Sequence, residues 1–285
     1  MAAGNVVTGP RNGALYYRHA LPVRIMHWIN VAALTLLFMS GLNIFSAHPA
    51  LNWGRSSYDD RPAVLAIGAT EDAMGNLVGV TRIFGHDFVT TGWLGAARGP
   101  NAEVIATTFP SWLTIPDYRW LSMARRWHFF FAWVFVINGL CYLAYSIASR
   151  HFSRDLAPTP TDLRSVGASI VDHLRFRHPT GEAAKRYNVL QKLAYLVVIF
   201  VLLPLIVLMG MAMSPWLDSL WPGWVDFFGG RQAARTIHFI VAWLLVLFVL
   251  IHVFEVVISG FWNHMRSMIT GRFRIEQGAS HAGKK

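Results

Sequence analysis

Four long apolar runs, over residues 25–45, 128–148, 190–213 and 237–260, decide what this chain can fold into. Each is close to the ~20 residues that a helix needs to cross a hydrocarbon core about 30 Å thick. Composition agrees, since 54% of the 285 residues are hydrophobic and 14% are charged, against roughly one quarter charged in an ordinary soluble domain. The predicted fold class is all-α and integral to a membrane. It is a single domain over 1–285 with four transmembrane helices, a long outer loop over 46–127, a cytoplasmic loop over 149–189, and both termini on one side.

Charge predicts which side. The two tails and the 149–192 connection carry sixteen Lys or Arg against five acids, Asp155, Asp162, Asp172, Glu182 and Glu276. The 46–127 and 214–236 connections balance nine Arg against nine Asp or Glu. The positive-inside rule then makes the termini and the 149–192 loop cytoplasmic, with the long loop outside or in a periplasm. Basic runs of this kind serve topology and contact with anionic lipid, and no nucleic acid partner is expected.

Cys141 is the only cysteine, so the sequence predicts no disulfide, no covalently attached haem and no iron–sulfur cluster. The opening MAAGNVVTGPRNGALYYRHALPVR has no short apolar run ending at a small-residue cleavage site, so the first helix is expected to direct insertion. Loop 46–127 scatters glycines among short apolar pieces such as NLVGVTRIFG and TTGWLG. It reads as a folded cap that offers a partner a docking face, or else as a partly ordered connection. In the cytoplasmic loop, Thr161 and Asp162 are expected to start a short amphipathic helix at the interface.

Of twelve histidines, eight (His19, His48, His86, His151, His173, His178, His264 and His281) fall in loops or tails and read as solvated. The other four, His27, His128, His238 and His252, fall within or at the ends of spans, where an ionisable group is costly and functional by default. His238 and His252 are fourteen residues apart, hence about 21 Å along a helix and within about 40° of one face. By depth the four sort into two pairs, His27 with His252 and His128 with His238, one in each leaflet.

Two imidazoles facing each other between helices can clamp a metal, either a haem iron or a bare transition ion. A bare zinc or copper site wants three or four donors, and the pairs offer only Glu255 beside the inner one. Haem needs two axial ligands, space and cations. Gly41 with Ser40, and Gly139, are small residues that let a flat macrocycle approach a helix, or else pack helix on helix. Arg24 at the inner pair, and Arg125, Arg126 and Arg235 at the outer one, are placed to neutralise propionates. Two b haems, each with two histidines and no free coordination position, suit electron transfer rather than oxygen chemistry. The mates expected are a periplasmic protein at the long loop and a lipid-soluble quinone near the inner pair. Glu255 either relays protons to that quinone or is an ordinary paired carboxylate. Asn30, Asn188 and Gln191 are candidate quinone hydrogen-bonders.

The segments HALPVRIMHWIN and ARRWHFFFAWVFVINGLCYLAY, with the two histidines fourteen apart on the fourth helix, resemble the bacterial cytochrome b561 and nickel–iron-hydrogenase cytochrome b family. That group includes membrane subunits of formate dehydrogenase-N, hydrogenase and thiosulfate reductase. The likeness covers all four helices, and FPSWLTIPDYRWLSMARRWHFFFAW is most like the thiosulfate-reductase branch. The resemblance implies a four-helix fold with two b haems, His27 pairing with His252 and His128 with His238. It also implies a periplasmic partner, such as an iron–sulfur, hydrogenase or molybdopterin subunit or a c-type cytochrome. The extended first outer loop departs from the family. A free-standing quinol oxidase with a soluble acceptor, a histidine-based metal transporter and a structural anchor are the competing functions, and a homo-oligomer is compatible with any of them.

Overall fold

The structure is a computed structural model that describes residues 15–57, 62–99, 101, 103–175 and 188–274, the side chains of Asp155, His173 and Leu174 excepted. The opening 1–14 segment, His178, Glu182, Glu276 and His281 of the sequence reading lie outside the described residues. Four helices are long and apolar enough to cross a membrane: Leu21–Phe45, Leu121–Ala148, Val189–Ala212 and Arg231–Ile258. Three begin earlier than the apolar runs at 25, 128 and 237. The added turns hold Arg24, Arg125, Arg126, Arg231 and Arg235. Charge interrupts an apolar run, yet Arg is a good helix former and its long stem carries the guanidinium out of an apolar layer.

The third span starts at a capping box, in which Asn188 Oδ1 accepts from the Leu190 N–H at 3.1 Å and Gln191 Oε1 from the Asn188 N–H at 3.2 Å. The oxygens of these two side chains thus satisfy helix-end donors. The same span widens into a π-helical turn over Val198–Leu202, two residues short of Pro204, whose ring removes one helical donor.

The chain forms two compact units. One holds Met1–Ile29, Asn138–Leu203 and Leu245–Lys285, the other Asn30–Ile137 and Pro204–Leu244.

In the second unit the long loop corrects the all-α expectation, which describes the spans alone. Strands Ala50–Leu51, Leu65–Glu71, Leu77–Ile83 and His86–Val89 pair antiparallel in that order, and Gly95–Arg98 pairs with Val104–Thr107. The turn after Leu65–Glu71 is closed by Asp72, whose Oδ1 accepts from the N–H groups of Met74 and Asn76, both at 2.8 Å. Gly95 has φ +79°, and a Cβ there would stand 2.0 Å from the Gly68 carbonyl oxygen. Only glycine lets the second hairpin lie this close to the sheet.

Leu51, Ile67 and Phe109 of the loop share a core with Leu42 and Phe45 of the first span. Buried polar groups in the spans then pin the loop. Asn43 donates to the Pro116 and Tyr118 carbonyls at 2.8 and 2.9 Å and accepts from the Trp120 N–H at 3.3 Å. Thr236 donates to the Asn52 carbonyl at 2.8 Å.

In the first unit Asn138, buried in the second span, donates to the Met26 carbonyl at 2.9 Å. Two short helices, Pro160–Arg164 and Val166–Leu174, occupy the expected interfacial segment. The first is capped by Thr159, two residues ahead of the expected start, with Asp162 closing the box. Lys192 reaches Asp162 at 2.8 Å. Strands Leu15–Tyr17 and Arg272–Arg274 pair antiparallel after the helix Phe261–Thr270.

Candidate metal centres: two pairs of facing histidines

Each pair lies inside one unit. In the first, the rings of His27 and His252 have centroids 6.4 Å apart with planes at 67°. In the second, His128 and His238 are 6.2 Å apart at 61°. A metal–imidazole nitrogen bond is about 2.0–2.1 Å, and a ring centre lies about 1.1 Å behind its nitrogen, so a metal held in line between two imidazoles sets centroids roughly 6.3 Å apart. Both pairs fit that span, and all four rings are half-buried.

The His128–His238 pair shows how the rings are aimed. His128 Nδ1 lies 3.1 Å from the Leu37 carbonyl oxygen and His238 Nδ1 2.9 Å from that of Ile206. A carbonyl only accepts, so each Nδ1 carries the proton and each Nε2 presents a lone pair. Each acceptor lies four residues before a glycine. A Cβ on Gly41 would be 3.4 Å from His128 Cε1, and one on Gly210 3.5 Å from His238 Cε1. Gly41, expected to admit a macrocycle or to pack helix on helix, makes room for the His128 imidazole, and Gly210 does the same for His238. Ser40, fully buried, sits 3.1 Å from His128 Nδ1 while its hydroxyl bonds back to the Leu36 carbonyl at 2.6 Å.

Around His27 and His252 the neighbours are aromatic. Phe248 stacks on His252 with planes at 16°, and Trp28 meets His27 edge-on at 71°. Glu255 is half-buried one turn beyond His252, and its backbone carbonyl accepts from the Ser259 hydroxyl. That hydroxyl is also 3.2 Å from His264 Nε2. A Cβ on Gly139 would meet nothing within 4 Å, so that face of the second span is open.

Three of the four cations expected at propionates, Arg24, Arg125 and Arg235, have protein partners. Arg24 donates to the Ile269 carbonyl. Arg235 donates to the carbonyls of Ala50, at 2.9 Å, and His48, with its guanidinium over Phe45. Arg125 lies over Phe129, and both Arg125 and Arg126 are exposed. Asn30 forms interactions of its own in the first span. Nor are the remaining histidines uniformly solvated. His19 and His151 line a cavity, and His264 packs on Phe273.

Among the described residues no group of three or more His, Cys, Asp or Glu could hold a bare metal ion. Each site offers two imidazoles, which suits a metal whose other ligands come with it, as in haem.

Residues 18–271 match the family described as prokaryotic cytochrome b561. Over 239 residues, 84% of this chain and 89% of the relative, the sequence is 28% identical to the "Putative protein-methionine-sulfoxide reductase subunit YedZ1" of Azospira oryzae. Over 165 residues, 53% of this chain and 67% of the relative, it is 27% identical to the "Probable Ni/Fe-hydrogenase B-type cytochrome subunit" of Cupriavidus necator. No solved structure matches.

Proposed function

Because this chain belongs to the prokaryotic cytochrome b561 family, we propose that it is the membrane subunit of a respiratory oxidoreductase and carries electrons between a periplasmic redox partner and quinone. In this reading the whole chain is one membrane domain of a bacterial inner membrane, with both termini in the cytoplasm.

The observation that carries the proposal is the pair of histidine pairs, His27 with His252 and His128 with His238, each with its rings at the spacing of a shared axial metal. Two b haems are the groups they would hold, supplying one-electron exchange at a filled coordination sphere. The protein's own part is to fix neutral imidazoles, as Leu37, Ser40 and Ile206 do for the second pair, and to exclude water with apolar helix faces. His238 and His252 ride on one helix, about 21 Å apart by helical rise, which supports a path along the span rather than one isolated centre.

The two relatives are named as subunits of a reductase and a hydrogenase. A catalytic partner for this chain, met by the β-structured loop, follows from that likeness. Quinone is the lipid-soluble mate at the first unit, with Glu255 as the candidate proton relay.

The test is haem content and quinol response of the purified chain. Two b haems per chain, reduced by a short-chain quinol, are expected. No haem in folded protein would remove the reading in favour of a transporter or anchor. Two haems that no quinol reduces would leave electron transfer and remove quinone.

A further inference from the structure

A cavity of about 220 Å³ opens in the first unit, where the segment leading into the first span faces the end of the second span and the turn after it. Backbone geometry fixes both sides. On one, the Gly271 carbonyl accepts from the N–H groups of Arg18 and His19, at 2.8 and 3.4 Å. The Tyr17 ring packs on the same glycine so closely that a Cβ there would stand 2.5 Å from Tyr17 Cε2. On the other, the second span runs out at Ala148, and Arg150, at φ +55°, redirects the chain so that His151 and Arg154 line the cavity with Tyr145 and Ser149. Ala20 and Val23 complete the lining with small apolar side chains.

The polar lining donates far more than it accepts. Arg18 and Arg154 bring guanidiniums, Tyr17 and Tyr145 phenol hydroxyls, and His19 and His151 imidazoles, with no carboxylate among the described lining residues. Ser149 is the exception, because its hydroxyl already donates to the Tyr145 carbonyl at 2.6 Å. The surrounding charge is positive too. Burial first, then the charge of Arg18 and the neighbouring His264, His151 and His27, hold the His19 pKa down at about 4. Neutral at pH 7, His19 still keeps one N–H to donate. An anion with several acceptor oxygens and no proton of its own answers such a set. A phosphodiester is that anion, and guanidiniums grip phosphate oxygens through paired N–H groups.

Depth identifies the source of the phosphate. The cavity lies where one membrane-crossing helix begins, at Leu21, and another ends, at Ala148, hence at the level where headgroups meet hydrocarbon. Basic pockets among membrane helices at that level hold anionic headgroups. Along the second span Cys141, Ala144 and Ala148 recur at helical spacing beside Tyr145, and all three are exposed. Side chains this small leave a shallow apolar track for an acyl chain. The volume is below the roughly 300–1,000 Å³ of sites that enclose a whole drug-sized ligand, which suits a headgroup whose chains stay outside.

We propose that this cavity binds the phosphate of an anionic phospholipid, held by Arg18, Arg154, Tyr17, Tyr145 and the His19 imidazole. The site is independent of haem and quinone, and it fastens the segment before the first span and the end of the second to one lipid.

The test is native mass spectrometry of the full-length purified protein, delipidated and then titrated in detergent with phosphatidylglycerol or phosphatidylcholine of the same acyl chains. One phosphatidylglycerol per chain is expected, bound at least about tenfold more tightly than phosphatidylcholine. Two variants should lose affinity for it by a similar factor: Ala20→Trp, which fills the cavity, and Arg154→Gln with Tyr145→Phe, which removes a cation and a hydroxyl. Arg164→Gln, at an exposed arginine of the same connection that does not line the cavity, should bind as the parent does. Circular dichroism and elution volume report that each variant is folded. Equal affinity of the parent for the two lipids, or parental affinity in both cavity variants, would overturn the proposal. An equal loss in Arg164→Gln would mark diffuse surface charge and overturn it as well. Release of the lipid by an equal concentration of inorganic phosphate would assign the cavity to a free anion and overturn the lipid.

Discussion

The imidazole of His128 rests on Gly41 so closely that a methyl group there would lie 3.4 Å from its Cε1, while its Nδ1 reaches the Leu37 carbonyl one helical turn earlier. Gly210, Ile206 and His238 repeat the relationship at 3.5 Å. In each case the glycine leaves room for the ring against its helix, and the carbonyl four residues earlier fixes the tautomer of the imidazole.

At 3.4–3.5 Å a single carbon is an ordinary contact, so Gly210→Ala is expected to keep the haem proposed for His128 and His238 and to shift its midpoint potential. Gly210→Val places further carbons in the ring's position. It is expected to lose that haem and keep the other, as read by pyridine haemochrome content and a redox titration. Retention of both haems at unchanged potentials in the valine variant would show that the glycine does not seat the ring.

Asn43 has three partners in the stretch Pro116–Trp120 and is 1% exposed. Asn43→Ala leaves those backbone groups to find water or go unpaired, at about 1–3 kcal/mol for a buried unsatisfied group. Faster proteolysis within the 46–120 loop is expected, with cleavage sites mapped by mass spectrometry. A parental digestion pattern would remove the clamp.

The Lys192–Asp162 pair supplies a pH test. Its Lys192 hydrogen bond first, then the Thr159 backbone N–H, hold the Asp162 carboxyl down at about 2, below the about 3.9 of an unfolded chain. A depressed carboxyl stabilises above the unfolded value and loses that contribution as pH falls through the folded one. Asp162→Asn should therefore lower thermal stability at pH 7, and the deficit should shrink as pH falls from about 4 towards 2. The cost is set at about 1–3 kcal/mol, less than the about 3–5 of a fully buried pair, because the carboxylate is 28% exposed. A deficit independent of pH would point to packing and not to charge.

The spans and the histidine pairs are legible because both rest on helical periodicity over long runs, where spacing alone fixes depth and face. His238 and His252 need only a count of residues to share a face. The β-structure of the long loop is not legible in the same way. Its strands are two to seven residues, and glycines such as Gly79 and Gly95 that look like flexible punctuation serve close packing between hairpin and sheet. Gly210 resembles any small residue in a span until the ring of His238 is seen against it. Asn138 carried a usable signal, since an amide within FVINGLCYLAY needs a partner. Asn188 and Gln191 have the three-residue spacing of a capping box just before an apolar run, a local use of their side-chain oxygens that this spacing makes readable. His19 could not be told from a tail residue, because its burial comes from segments distant in sequence.

The central claim is that two separate histidine pairs each hold one haem, and counting haems in single-ligand variants tests it most directly. His238→Ala and His252→Ala, purified and assayed by pyridine haemochrome with reduced-minus-oxidised spectra, should each fall from about two b haems per chain to about one. The spectral component lost should differ between them. Two haems retained in both variants, or loss of the same component in each, would contradict the account.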